Sequence, residues 1–249
     1  MILEGHRFFL YSAIVMAVLN VAAFSFQHAM GRSSFVASPP LVHAHAITFF
    51  GWVTIYLAQN ALASTGNIAL HRRLGWIAAG WMVLMVVLGT SVTVAMEREG
   101  RVPFFFTPAY FLIMNPIAVL TFAGLGAAAI VLRRQTQWHR RLLYCGTATI
   151  MGPSFGRLLP VPFMIPWGGW GIFAAIMLFP LAGVIFDLRQ RGKVHPAWWW
   201  GIGVMVAAQL SMDLIAYSPL GGAIYAFATA GSPGAQIAPF AYPKLPWLP

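Results

Sequence analysis

Long apolar runs constrain this chain more than any other feature. They recur along its 249 residues, at positions 8–30, 43–63, 74–96, 108–132, 139–159, 167–186 and 196–217. A helix of about 20 apolar residues crosses the roughly 30 Å hydrocarbon core of a bilayer. Only 8% of the residues are charged, against about a quarter in a soluble domain. The sequence therefore excludes a water-soluble globular fold and predicts an all-α integral membrane bundle of seven transmembrane helices.

The fifth run sets the helix count, because it contains Arg157 and several glycines. A count of six results if this run is merged with a neighbour or dropped, but it is long and mostly apolar, so we favour seven. The first run does not resemble a cleavable signal peptide, since Gln27, His28 and Arg32 follow where a small-residue cleavage site should stand.

Two regions follow from this count. Residues 1–217 form the predicted transmembrane domain, with helices 2 to 5 (about residues 41–159) as its core. Residues 218–249 are rich in proline, which predicts an irregular extracytoplasmic segment. We expect that segment to pack back on the bundle through Phe240, Tyr242 and Trp247.

The distribution of basic residues predicts the orientation. The net charge is +10, but the basic residues stand in short clusters between apolar runs. The positive-inside rule of membrane proteins explains this distribution, so we predict no nucleic-acid partner. Ten of the 15 basic residues fall on one side of the predicted membrane: Arg7, Arg72, Arg73, Arg133, Arg134, Arg140, Arg141, Arg189, Arg191 and Lys193. The other side holds Arg32, Arg98, Arg101 and Lys244, with Arg157 inside a helix end. We therefore predict a multi-pass protein of a bacterial inner membrane with a cytoplasmic N-terminus.

Two helix pairs repeat one pattern. LHRRLG at 70–75 opens the third run, and WHRRLL at 138–143 opens the fifth. Each unit consists of an apolar span, a basic cytoplasmic elbow and a second apolar span. Such repeats often form a site at their interface, although arginines at an elbow also commonly extend to the lipid headgroups. His71 and His139 occupy the same position in the two elbows.

A second histidine cluster is predicted on the outer side. His45 begins a helical stripe of aromatic and polar residues (Phe49, Trp52, Tyr56 and Gln59), which predicts that it faces the bundle interior. His43 begins an apolar face of the same helix. It is predicted to be either a group at the membrane interface or a second metal ligand. His28 at the end of the first helix, with Glu97 as a further candidate ligand, could complete a site for copper, zinc or non-haem iron.

Arg157 and Asp213 are predicted at similar depth on the outer side. Asp213 is the one acid well inside a predicted span, where an unpaired charge is costly. It continues a stripe with Gln209 and Tyr217. An ion pair with Arg157 and a functional role for the two residues are both open interpretations.

The segments HAHAITFFGW (43–52), ALHRRLGW (69–76) and QTQWHRRLLYCGTATIMGPSFGRLLP (135–160) resemble a poorly characterised group of bacterial multi-pass membrane proteins. The match covers residues 41–159. In layout the chain is also distantly similar to the four-helix cores of transmembrane b-type cytochromes and ferric-reductase-like proteins, where histidines on alternate helices hold haem.

The second resemblance implies haem b between His71 and His139, with the elbow arginines near the propionates: Arg72, Arg73, Arg140 and Arg141. Arg157 is a further candidate on the cofactor side. An outer haem would need a histidine on helix 4 opposite His45, and that run has none. One haem, or an outer site of another kind, is therefore expected.

Three functions remain open from the sequence. The first is a redox protein that passes electrons from a membrane carrier through haem b. The second is a metal-binding protein or metalloenzyme with the outer histidine site. The third is a non-catalytic accessory or assembly subunit of a larger membrane complex, since the chain has no GxSxG, HExxH or phosphate-binding motif.

Overall fold

The computed structural model describes residues 2–32, 36 and 38–243, without the side chains of residues 2–6. All regular elements in this part of the chain are helical. The α-helices are α1 (Ile2–Ala29), α2 (Pro40–Ser64), α3 (Ile68–Arg98), α4 (Pro108–Val131), α5 (Thr136–Thr149), α6 (Gly152–Leu158), α7 (Gly168–Arg191), α8 (Pro196–Ala216) and α9 (Pro219–Thr229). Short 3₁₀ turns lie at Val161–Met164 and Pro233–Gln236.

Six of these helices are long and apolar enough to cross a membrane: α1, α2, α3, α4, α7 and α8. Their outward faces carry large apolar side chains, such as Val83, Leu178 and Leu214, which are 64–74% exposed. In water such a surface would be costly, whereas lipid chains accept it. The chain is therefore a multi-pass helical membrane protein.

The fifth predicted span differs most from its expectation, because it is two helices. α5 ends at Thr149 and α6 begins at Gly152. Pro153 lacks the N–H that would donate to the carbonyl of Thr149, so the regular hydrogen-bond ladder is interrupted there. α5 also carries three consecutive basic or imidazole side chains, at 139–141, and it is only 14 residues long.

The broken segment nevertheless runs antiparallel along the whole of α7. At one end Arg141 contacts Asp187 in the last turns of α7. In the middle, Gly152 faces Ile176. At the far end Gly168, the first residue of α7, packs on Val161 of the 3₁₀ turn. α5, α6 and this turn together therefore match the length of a helix that is itself a candidate span.

The buried core includes residues of α1 to α5, α7 and α8, and α2 contributes the stripe that the sequence predicted. Trp52, Tyr56 and Gln59 are buried, and the Trp52 ring packs edge-on against Phe122 of α4 with centroids 4.7 Å apart. On the other face of α2, Ile47 is 69% exposed. The alternation of polar-aromatic and apolar faces thus decides which side of α2 meets the bundle.

The C-terminal region is more regular than its prolines suggested. Ser218 caps α9 by accepting a hydrogen bond from the Gly221 N–H at 3.4 Å, and Pro219 occupies the first turn, where its missing N–H costs nothing. The prediction of an irregular segment from 218 onward is therefore wrong for Pro219–Thr229. Arg98 also fastens this region to α3 by donating to the carbonyl of Ala228 at 2.8 Å.

The residues after α9 return to the bundle. The carbonyl of Pro239 accepts a hydrogen bond from the Ala109 N–H at the start of α4, at 2.9 Å. Phe240 and Tyr242 line a cavity there with residues of α4, α7 and α8. Lys244 and Trp247, which also entered the sequence predictions, lie outside the described residues.

Candidate functional site

The two elbow histidines come together. His71 lies in the first turn of α3, which Asn67 caps by accepting a hydrogen bond from the Leu70 N–H at 3.2 Å. His139 lies in the first turn of α5. The centroids of the two imidazole rings are 6.4 Å apart, and their planes are nearly perpendicular at 87°. Residues 68 positions apart in sequence thus face one another at one end of the bundle.

Each imidazole is oriented by a backbone carbonyl of the preceding helix. The Nδ1 atom of His71 lies 3.3 Å from the Gln59 carbonyl oxygen in α2, and the Nδ1 atom of His139 lies 2.8 Å from that of Ala129 in α4. Because a carbonyl oxygen only accepts, each Nδ1 carries a proton, and in the neutral form of each ring the Nε2 atom then presents a lone pair. Within the described part of the chain, neither Nε2 takes part in a hydrogen bond.

The arginines of the two elbows have different surroundings. Arg72 and Arg73 are exposed at the end of the bundle. Arg140 is half-buried. It donates to the Gln137 side chain at 2.6 Å, and its guanidinium lies 4.8 Å from the centroid of the Phe9 ring. Arg72 and Arg73 are therefore more accessible to an anion than Arg140, which is partly engaged.

Arg141 is fully buried and forms an ion pair with Asp187. Its Nε donates to Asp187 Oδ2 at 3.0 Å, and its Nη2 donates to Oδ1. The expectation that Arg141 could meet a propionate from the second elbow is therefore wrong. A buried guanidinium requires a counter-charge, and Asp187 already supplies it to Arg141.

Sequence reasoning missed Asp187, because the predicted sixth span ended at 186 and left this acid in the loop. The helix instead continues to Arg191. Asp187 Oδ2 also accepts hydrogen bonds from the indole N–H of Trp198, at 3.0 Å, and from the backbone N–H of His195, at 3.1 Å. The sequence did offer one signal: Asp187 is a single acidic residue next to several basic residues at the end of a predicted span.

His195 stands beside this ion pair, just before α8. Burial, and next the nearby Arg141 charge, lower the pKa of the His195 imidazole below its usual value. The neutral ring can therefore cap α8, with its Nδ1 accepting a hydrogen bond from the Ala197 N–H at 3.2 Å. His195 thus has a structural role at this end of the bundle.

The outer-side histidines are distributed over two helices. His45 is half-buried, stacks on Phe49 with ring centroids 4.1 Å apart, and has a buried Nδ1 without a hydrogen-bond partner among the described residues. His43 is half-buried and His28 is exposed. Over the described ranges, no three His, Cys, Asp or Glu side chains are grouped so that they could hold a metal ion. The outer metal site stays a prediction.

Glu97, the fourth candidate for that site, is fully buried at the end of α3. Neither of its carboxylate oxygens has a hydrogen-bond partner among the residues that the structure describes. Gly234 of the C-terminal region lies so close to the Glu97 backbone that any side chain there would overlap it. The returning C-terminal region thus covers Glu97.

Arg157 and Asp213 do not form an ion pair, so that interpretation is wrong. Arg157 donates to the Pro153 carbonyl one turn earlier at 2.8 Å, and its guanidinium lies 4.1 Å from the centroid of the Phe24 ring. Asp213 instead accepts a hydrogen bond from Gln209 at 3.4 Å. Arg157 also lies near the end of α6, after the break, whereas His139 lies in the first turn of α5, so Arg157 is away from the histidine pair.

Comparisons with known proteins add no relative. No protein-family model, curated protein or solved structure matches the chain. The arrangement of its own side chains is therefore the basis for any functional proposal.

Proposed function

We propose that this protein binds haem b between His71 and His139 and passes electrons within the membrane. The observation that carries the proposal is the 6.4 Å separation of the two ring centroids. Two imidazoles that hold one metal ion through nitrogen bonds of about 2 Å would have ring centroids about 6 Å apart. The spacing therefore suits two histidines that would hold a haem iron together.

The hydrogen bonds of both rings support the same role. Metal-binding histidines usually donate their other ring N–H to a carbonyl or carboxylate, which fixes the tautomer and orients the ring. Gln59 and Ala129 supply such carbonyls.

The surroundings suit an anionic, largely apolar cofactor. Arg72 is exposed beside His71 and could pair with a propionate. Next to it, Trp76 is 65% exposed and lies under the guanidinium of Arg133, 5.8 Å from its ring centroid. Arg140, already bonded to Gln137, is the weaker candidate for the second propionate.

When bound, haem iron would alternate between its ferric and ferrous states and carry one electron at a time. The protein's part is to hold both imidazoles in fixed tautomers, to neutralise the propionates and to keep one face of the site in lipid. The proposed electron donor is a membrane carrier or a neighbouring subunit. The equivalent position of the two histidines in their elbows supports an internal repeat as the origin of the site.

We further propose seven crossings in a bacterial inner membrane, with the N-terminus in the cytoplasm. The antiparallel contact of α5 and α6 with the full length of α7 supports a seventh crossing. The excess of basic residues at the elbows supports the orientation. In this arrangement the histidine pair lies near the cytoplasmic surface.

The absorption spectrum of the detergent-purified protein, expressed with added haem precursor, tests this proposal. We expect a Soret band and the sharp reduced α-band of a six-coordinate low-spin haem. His71→Ala and His139→Ala should each remove most of that signal, since a single axial imidazole holds haem more weakly. His45→Ala is the matched control and should keep full haem content.

Elemental analysis of the same samples separates haem from other metals. Iron should be present in proportion to the Soret absorbance and fall in both elbow variants. A correctly folded protein without a Soret band would overturn the proposal. Copper or zinc bound without haem and lost with His71→Ala would overturn it equally.

A further inference from the structure

A cavity of about 310 Å³ opens at the opposite end of the bundle from the histidine pair. It lies where α4 and α7 begin and α8 ends. Its walls are mainly aromatic, formed by Tyr110, Trp167, Trp170, Tyr217, Phe240 and Tyr242. Tyr110 is 3% exposed and belongs to the floor, whereas Trp167 is 67% exposed and belongs to the rim. The cavity is therefore deep on one side and open on the other.

One carboxylate, that of Asp213, lines this aromatic cavity. No basic side chain among the described residues forms a salt bridge with it. The Asp213 carboxylate accepts a hydrogen bond from the Gln209 amide, at 3.4 Å, and another from the Trp170 side chain. A half-buried carboxylate whose donors are all neutral favours a positive charge nearby.

Polar side chains at the floor of the cavity are hydrogen-bonded to each other. The amide nitrogen of Gln209 donates to Tyr110 Oη at 3.0 Å as well as to Asp213, so both of its hydrogens are used. The Tyr110 ring stacks on Tyr217 with centroids 5.7 Å apart and an angle of 18°. The floor is therefore held rigid before any ligand enters.

We propose that this cavity binds an organic ammonium ion, with aromatic faces around the cation and Asp213 as its counter-charge. Aromatic side chains around a quaternary ammonium ion attract it through their ring quadrupoles. The carboxylate disfavours an anion. A metal ion would need more oxygen or nitrogen ligands than one carboxylate. A quinone presents carbonyl oxygens, which only accept hydrogen bonds and gain nothing from a carboxylate.

Choline is the probe for a binding assay with the purified full-length protein, and calorimetry or radiolabelled choline measures its dissociation constant. Its neutral isostere 3,3-dimethylbutan-1-ol has the same shape without the charge. Choline should bind saturably and at least about tenfold more tightly than the alcohol, because only the cation gains the carboxylate and cation–π attraction. Equal affinity for both would overturn the proposal, as would tight binding of a short-chain quinone that choline does not displace.

Asp213→Asn keeps the shape of the cavity and removes its charge. We expect choline affinity to fall about ten- to a hundredfold while the affinity for the alcohol is unchanged. Glu99→Gln is the matched control. It removes one acid, the exposed partner of Arg101, at the same end of the molecule, and choline affinity should not change. Equal losses in both variants would mean non-specific attraction to surface charge and would overturn the proposal. The comparison of the two probes on the unmodified protein holds even if a variant folds poorly.

Discussion

At the scale of single residues, Asp187 connects several groups at the end of the bundle that carries the histidine pair. Its two oxygens accept hydrogen bonds from Arg141, from the Trp198 indole and from the His195 backbone. Both Arg141 and Asp187 side chains are 0% exposed. A fully buried charge is tolerated only while its partner is present.

Asp187→Ala should therefore destabilise the protein by about 3–5 kcal/mol, because it leaves the Arg141 guanidinium buried and unpaired. Thermal or denaturant unfolding in detergent measures the change. Glu99→Gln removes an exposed ion pair with Arg101 and should cost less than about 1 kcal/mol.

The double substitution Arg141→Leu with Asp187→Leu provides a further check. It should cost clearly less than the sum of the two single changes, because no buried charge is left without a partner. Additive costs would contradict the view that the uncompensated charge is the main penalty.

At the scale of helices, close approach between α7 and α8 depends on small residues. A Cβ on Gly183 of α7 would overlap the ring of Trp198. That ring is 0% exposed and fixed through its bond to Asp187, so it cannot easily move aside. Small residues at such positions let membrane helices pack closely, and packing is the main attraction between them in lipid.

Gly183→Ala should destabilise the fold by about 1–3 kcal/mol through overpacking. Gly203→Ala, in α8, is the matched control because no atom lies within 4 Å of its added Cβ. That change should be neutral or stabilise by up to about 1 kcal/mol through helix propensity. The same unfolding assay decides between the two, and a stabilising Gly183→Ala would contradict the described packing.

At the scale of the whole molecule, the path of the fifth segment sets the topology. Gln135, before α5, and Phe163, in the 3₁₀ turn after α6, are both exposed, and Phe163 is 92% exposed. If α5 and α6 together cross the membrane, these two positions lie on opposite sides. If they do not, both lie on the same side.

Single-cysteine labelling in intact bacteria tests this arrangement. The chain has one cysteine, Cys145, which is buried, so a Cys145→Ala background carries each test substitution. With a membrane-impermeant maleimide, Phe163→Cys should react in intact cells and Gln135→Cys only after permeabilisation. Glu99→Cys should behave like Phe163→Cys. Reaction of Phe163→Cys and Gln135→Cys under the same condition would exclude a seventh crossing.

Hydrophobic patterning alone was sufficient to predict the positions of the six long apolar helices. A span needs only length and apolarity, and these are local properties of the sequence, so α1 to α4, α7 and α8 appear close to their predicted positions. The stripe of Trp52, Tyr56 and Gln59 also identified the inner face of α2, because helical periodicity is local too. Pro153 was visible in the sequence, but Pro116 and Pro180 lie inside α4 and α7 without ending them, so the break could not be predicted from the proline alone.

Pairing between distant side chains depended on the tertiary structure. Arg141 and Arg140 are neighbours in one motif, yet only Arg141 meets Asp187, because the facing helix decides which charge is neutralised. In the same way Asp213 lines an aromatic cavity and does not reach Arg157. The sequence determined that the chain spans a membrane and has a histidine in the first turn of two helices. Only the packing of α2 to α5 decided that these rings face each other, since that distance depends on helix crossings that no local pattern specifies.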